Sequence, residues 1–329
     1  MERFLDGGTK TMVKKEMYAF LKMSLIKTKA AQMLKRNIKK CSSNDKLRYR
    51  ILNDKERLIH EYPDLKDQIS YIITTKKISV FNASFEEKYS EKKNKVYVDN
   101  KRHLKYLIHD NKRLYFPLLI ANSWINFLYN SLCTEQDMSS PHRYLDEGEN
   151  MKNVVIFDCG CAEANFTLGV IENAKSAYLF EGDSDWIIPL RATFSPWREK
   201  VHLCKGFLGN GGEGTISLKN YMLFLEKQGR LDIENDMIFI KMDVEGTEIA
   251  VLEDILPIMK RAKNMKLAVC LYHNADDEKK ISQMIPEGYI GRLRKGHMLF
   301  FHDVRMLKYP YFRHGLMRIE RTISAADKK

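Results

Sequence analysis

The residues best suited to chemistry in this chain stand at the ends of short apolar runs. VVIF (154–157) finishes on Asp158, inside NVVIFDCGCAEANFTL. AYLF (177–180) finishes on Glu181, inside YLFEGD and 23 positions after Asp158. IFIKMDVEGTEIAVLEDI (238–255) gathers Lys241, Asp243 and Glu245 before Gly246, and LAVCLYHNADD brings His273 to the end of a further run. Charges at a buried run's end need partners or a ligand, because unpaired burial is costly. A carboxylate about 20 residues after the start of a βαβ unit suits ribose hydroxyls, since it accepts two hydrogen bonds from a vicinal diol. The plainer alternative is a strand end followed by helix-capping acids.

The first loop decides what kind of nucleotide fits. It lacks G-x-G-x-x-G: Asp158 replaces the first glycine, and Ala164 stands where a third would be. A pyrophosphate above this loop meets Asp158, so a dinucleotide oxidoreductase is disfavoured and a cationic ligand is favoured. An adenosine-bearing cation with ribose hydroxyls points to S-adenosylmethionine. Asp158, Gly160, Cys161, Glu163, Glu181, Asp183 and Asp243 form the cofactor-binding set expected from these loops. Cys159 and Cys161 have no partner pair at structural-zinc spacing, so they read as small thiols packed in a tight turn. Asp243 and Glu245 alone are too few to establish a divalent metal, and none is expected.

These residues need a frame that brings strand ends level with one another. From residue 153 the runs VVIF, AYLF (177–180), VHLC (201–204), MIFIKM (237–242) and KLAVCLY (266–272) alternate with helical patterns starting near 165, 185, 247 and 276. Near-continuous apolar strands between amphipathic helices imply a doubly wound, mostly parallel sheet covered on both faces. Ligands in such sheets bind beyond the carboxyl ends of the strands, near the switch point. YIGRLRKGHMLFFHD (289–303) reads as an antiparallel edge hairpin. Upstream, 95–117 reads as a small antiparallel β-unit, 118–132 as a helix, 86–95 as an exposed loop, 44–60 as a helix and 10–40 as a basic amphipathic helix.

The motifs VIFDCGCAEANFTL, YLFEGD and FIKMDVEGTEIAVLEDI, in this order and spacing, resemble the FkbM family of S-adenosylmethionine-dependent methyltransferases. The resemblance covers roughly residues 139–319. It takes in SPHRYL and the KGHMLFF…YPYFRHGLMR tail, which are similar to a bacterial subgroup near polysaccharide biosynthesis. The family's acid-x-Gly falls on Asp158 and Gly160, its ribose acid on Glu181, its K-x-D-x-E-G on Lys241, Asp243, Glu245 and Gly246, and its Tyr-His on Tyr272 and His273. The departure is Ala164, where the family has glycine. The resemblance implies a class I sheet of seven strands, the last two forming the late hairpin, and methyl transfer to an oxygen such as a sugar hydroxyl. In-line displacement at a sulfonium carbon needs alignment and proximity, and a hydroxyl nucleophile benefits from a nearby base. Asp243, His273 and Glu245 are the catalytic candidates; His142 is a further one, and Asp243 and His273 lead. Asp243-Val244-Glu245-Gly246 does not fit the Asn/Asp-Pro-Pro-aromatic pattern of nucleobase amine methylases, so a nucleic-acid acceptor is disfavoured.

Charge divides the chain. The net charge is +12, and residues 1–70 carry 17 Lys/Arg against 9 Asp/Glu. This arm favours an anionic partner, including peripheral contact with a membrane surface, or is a solvated helix face; a non-catalytic binding module built on the arm is the competing class. The expected organisation is a basic helical extension over 1–94, a β-hairpin and helix element over 95–138, and the methyltransferase domain over 139–329. The six scattered cysteines, the missing secretory pattern and the missing long apolar run imply a cytoplasmic setting with a small-molecule or glycan substrate.

Overall fold

The computed structural model describes residues 44–212, 214–299 and 307–322; the basic helix expected over 10–40 lies outside them. Fourteen strands follow in chain order among these residues. Tyr97–Asp99 (β1), Leu104–His109 (β2) and Lys112–Pro117 (β3) form an antiparallel meander. Asp110 and Asn111, both at positive φ, make the β2–β3 turn. The helix Asn122–Glu135 comes next. Then come Val154–Cys159 (β4), Ser176–Glu181 (β5), Val201–Lys205 (β6), Phe207–Gly209 (β7), Thr215–Ser217 (β8), Met237–Met242 (β9) and Met265–Cys270 (β10). Tyr289–Leu293 (β11), His297–Leu299 (β12), Phe312–His314 (β13) and Leu316–Arg321 (β14) complete the set.

The doubly wound sheet has seven strands in the order β11-β14-β10-β9-β4-β5-β6. β6, β5, β4, β9 and β10 pair in parallel, while β14 runs antiparallel to both β10 and β11. The chain winds from β4 outward through β5 and β6, then crosses to β9. The switch point is therefore between β4 and β9, where the two carboxyl ends leave a crevice.

Alternation along each strand feeds two cores. Val154 and Ile156 join Leu168, Leu190, Leu107, Phe116 and Ile125 on one face, so the meander and the helix Asn122–Glu135 share this apolar cluster. Val155 and Phe157 join Leu218, Met222, Val251, Leu252 and Ile255 on the other. A third cluster packs Leu47, Ile51, Leu58 and Ile69 of the early helices against Leu299, Tyr311 and Phe312. No helix among the described residues is long and apolar enough to cross a membrane.

Three local expectations need correction. Among the described residues of the hairpin expected over 289–303, β11 pairs with β14 rather than with β12, and β12 pairs with β13 in a separate two-stranded sheet. The turn between β11 and β12 lets the chain leave the main sheet because Leu316, Met317 and Ile319 of β14 fill the place beside β10 with buried apolar side chains. The segment 86–95 contains a helical turn, Glu87–Ser90. Residues 44–61 form two helical stretches interrupted at Asp54, rather than one helix.

Candidate active site

The site begins with a cross-strand ion pair. Asp158 and Lys241 are register partners on β4 and β9, so their side chains share one face. Lys241 Nζ lies 3.2 Å from Asp158 Oδ1, and both side chains are almost fully buried. Thr167 Oγ1 donates to Asp158 Oδ2 at 2.7 Å. Lys241 also donates to the Gly160 carbonyl and stands over the Tyr144 ring at 5.4 Å. Burial opposes its charge, but Asp158 and Asp243 outweigh this and raise its pKa. Asp158 is thus turned to the protein's own cation and hydroxyl.

Gly160 sets how closely the two switch-point loops approach. It adopts φ +71°, and a Cβ there would lie 1.9 Å from the Asp243 carbonyl oxygen. Any side chain would force the β4 and β9 loops apart. Ala164, by contrast, holds a left-handed φ of 55° at the start of the helix Asn165–Val170. This position is where glycine is conformationally cheapest, which gives the family departure a physical meaning.

Glu181 ends β5, the strand beside β4. Its oxygens accept from the backbone N–H of Ala162 at 2.8 Å and of Asp183 at 2.6 Å, so it ties the first loop to its own. Each carboxylate oxygen keeps a further acceptor site. Asp183 caps the helix Ser184–Thr193 by accepting from Asp185 N at 2.9 Å, and its side chain is exposed. Burial drives the Glu163 carboxyl up to about 7 and the thiols of Cys159 and Cys161 well above their ordinary value.

Asp243 is the hub. Tyr144 Oη donates to Oδ2 at 3.0 Å and Tyr272 Oη to Oδ1 at 2.9 Å. His142 Nε2 lies 3.7 Å and His273 Nε2 3.6 Å away. Burial opposes ionisation of Asp243, but Lys241, His142 and His273 overcome it and lower its pKa to about 2. His142 is moved to about 4 by burial and is neutral at pH 7. His273 Nδ1 sits 2.9 Å from Glu248 Oε1, while Nε2 lies 3.8 Å from Glu245 Oε2. Burial lowers its pKa, but Glu248, Asp243 and Glu245 win and the net shift is upward. Glu245 itself is 81% exposed.

The structure therefore brings Asp243, His273 and Lys241 together and leaves Asp183 and Glu245 at the rim. Sequence reasoning missed Tyr144, Glu248 and Glu135. Glu248 is fully buried at the first position of the helix Glu248–Arg261, where it also accepts from Val244 N at 2.9 Å. Glu135 ends the helix Asn122–Glu135, and burial together with Asp243 and Glu163 pushes its carboxyl up to about 8. Four arginines of this region are tied to protein groups: Arg294 Nε donates to the Arg143 carbonyl at 2.9 Å, Arg143 Nε to that of Leu145 at 3.0 Å, Arg292 pairs with Glu320 at 2.9 Å, and Arg313 donates to the His273 carbonyl at 3.0 Å. Asp243, Glu248 and His273 have ligand atoms within 4.8 Å of one another, as do His142, Asp243 and Cys270.

No family model matches the chain, and no curated protein matches it. Solved structures do. Methyltransferase FkbM from Methylobacillus flagellatus is 15% identical with a TM-score of 0.36; the match covers 61% of this chain and 56% of that one. The chain therefore spans a little over half the length of that protein. Precorrin-6y C5,15-methyltransferase from Geobacter metallireducens is 14% identical with a TM-score of 0.32, over 53% of this chain and 81% of that one. A Streptococcus mutans chain solved in complex with SAH is 16% identical with a TM-score of 0.33, over 53% of this chain and 91% of that one.

Proposed function

We propose that this chain is an S-adenosylmethionine-dependent O-methyltransferase of the FkbM type that methylates a sugar hydroxyl of a glycan. The observation that carries the reading is that Glu181 ends, and Asp243 directly follows, the strands on either side of β4, with the Gly160 loop between them. Glu181 receives the ribose hydroxyls. Asp243, ionised at any physiological pH, offers a fixed negative charge beside a sulfonium and an acceptor for the sugar hydroxyl's hydrogen bond. The motif resemblance over residues 139–319 supports the acceptor class.

His273 is the base in this reading. A carboxyl held near 2 is a weak proton acceptor at neutral pH, whereas Glu248, Asp243 and Glu245 raise His273 above its ordinary value and make it the stronger acceptor. Glu248 holds the Nδ1 proton, which leaves Nε2 to accept. When bound, the cofactor supplies the activated methyl group; the chain's residues align the hydroxyl and take its proton. The basic arm then recruits an anionic acceptor, such as a phosphate-bearing glycan at a membrane surface, from the cytoplasmic side, where the free cysteines fit a reducing compartment.

Calorimetry with S-adenosylhomocysteine tests the cofactor. Wild-type protein should bind it, and Glu181→Ala should weaken binding by about 10–100-fold, the worth of one or two hydrogen bonds to a charged group. Absence of binding by folded wild-type protein overturns the reading. Transfer of labelled methyl from S-adenosylmethionine to nucleotide sugars, glycans and RNA then separates acceptors: label on RNA alone overturns the sugar assignment.

A further inference from the structure

We infer that a second site, sharing no residue with the Asp243 cluster, binds a first-row divalent cation of the zinc type. His297 and His314 are register partners on β12 and β13. Their rings lie 4.0 Å apart, centre to centre. Asp64, in the short helical turn Pro63–Leu65 of the early helices, brings Oδ2 to 3.3 Å from His297 Nδ1. One ligand atom from each of Asp64, His297 and His314 lies within 4.8 Å of the other two.

Three features distinguish this from an ordinary polar cluster. First, His297 is 5% exposed, and its Nδ1 has no hydrogen-bond partner among the described residues. A buried imidazole nitrogen without a partner is costly. Second, 3.3 Å is long for a hydrogen bond to that carboxylate, but it matches the roughly 3.4 Å that separates two ligand atoms on a tetrahedral zinc with bonds near 2.1 Å. Third, Glu278 Oε2 lies 2.8 Å from His314 Nδ1. A carboxylate behind a histidine fixes the proton on that nitrogen and turns the other one outward as a donor pair, the usual support of a metal-ligating histidine. Two imidazoles and one carboxylate with positions left open suit Zn2+, Co2+ or Fe2+ better than Mg2+ or Ca2+, which take oxygen ligands.

The site joins segments far apart in sequence. Asp64 belongs to the early helices, and the two histidines belong to the strands these helices pack on through Leu65, Ile69, Leu299 and Phe312. A cation here staples the early helices to the domain that carries the Asp243 cluster. Arg313, between Phe312 and His314 on β13, donates to the carbonyls of Tyr272 and His273, so the staple also braces the loop bearing the proposed base.

Chelator-treated full-length protein titrated with Zn2+ by calorimetry, and with Co2+ by visible absorption, tests this. One equivalent should bind with a ligand-field spectrum of low coordination number. Asp64→Asn and His314→Asn alter partly exposed side chains, and each should weaken that equivalent by at least about tenfold while circular dichroism stays unchanged. Asp243→Asn should leave it intact. No binding by folded wild-type protein, unchanged binding in the Asp64→Asn/His314→Asn double variant, or loss of this equivalent in Asp243→Asn would each overturn the inference.

Discussion

Replacing Lys241 by methionine removes the cation that faces Asp158 and Asp243 while keeping an unbranched apolar stem. Lys241 Nζ is 3.2 Å from Asp158, with side-chain exposures of 5% and 1%. Taking one partner from such a buried pair leaves an uncompensated charge and costs about 3–5 kcal/mol. That is a large part of the roughly 5–15 kcal/mol that holds a domain together, yet within it. Asp158→Asn/Lys241→Met should recover about 0.5–3 kcal/mol relative to the sum of the single changes. The pH dependence carries a sign. Lys241 is the strongest of the influences that lower Asp243 to about 2, against an ordinary value of 3.8. In the wild type that depression contributes stability above pH 3.8, lost as pH falls through about 2. Without Lys241 the Asp243 carboxyl rises, so the cost of the substitution should be larger at pH 7 than at pH 3. Urea unfolding followed by tryptophan fluorescence reads all three quantities. A cost below about 1 kcal/mol, or a double variant no better than additive, refutes the claim that this pair anchors the β4–β9 crevice.

Three further outcomes are expected. Glu248→Gln removes the main support for the raised His273 pKa, so the pH-rate profile for methyl transfer, which rises as His273 loses its proton, should shift toward lower pH; an unmoved profile assigns the base elsewhere. Ala164→Gly relieves a left-handed residue at φ 55°, worth about 1–2 kcal/mol, against about 0.4–1 kcal/mol of added unfolded-state freedom, so thermal unfolding should rise by up to a few degrees. Gly160→Ala should do the reverse: its Cβ meets the Asp243 carbonyl, and soluble folded protein with wild-type cofactor affinity would contradict the described packing.

The inner parallel strands were legible because they are short apolar runs buried on both faces, as Val154–Phe157 and Ile238–Ile240 are, and the edge strand β6 is a half-buried version of the same pattern. β14 was not, because Arg318 and Glu320 interrupt its apolar pattern. Arg318 is 2% exposed and makes sense only beside Glu149, whose Oε2 it reaches at 2.6 Å across 169 positions. At the site, Asp243 and His273 were legible from their place after strands. Glu248 was not, since an acid in a helix's first turn is ordinary helix-dipole chemistry and only the fold turns it toward His273. Asp158 was read as facing a ligand; its register with Lys241, which no local pattern reveals, turns it inward.

The place of β14 has a consequence for how the molecule is assembled. It lies between β10 and β11, and β11 has no other strand neighbour in the sheet. During synthesis the outer edge of β10 therefore waits from Cys270 until Leu316 emerges, about 2–9 s at common elongation rates. Through that interval an unpaired edge with buried-type residues is open to other chains. β11 cannot dock first, because its ladder is built on the strand still to come. The sheet is thus completed only when β14 arrives, although five of its seven strands precede β11 in the chain.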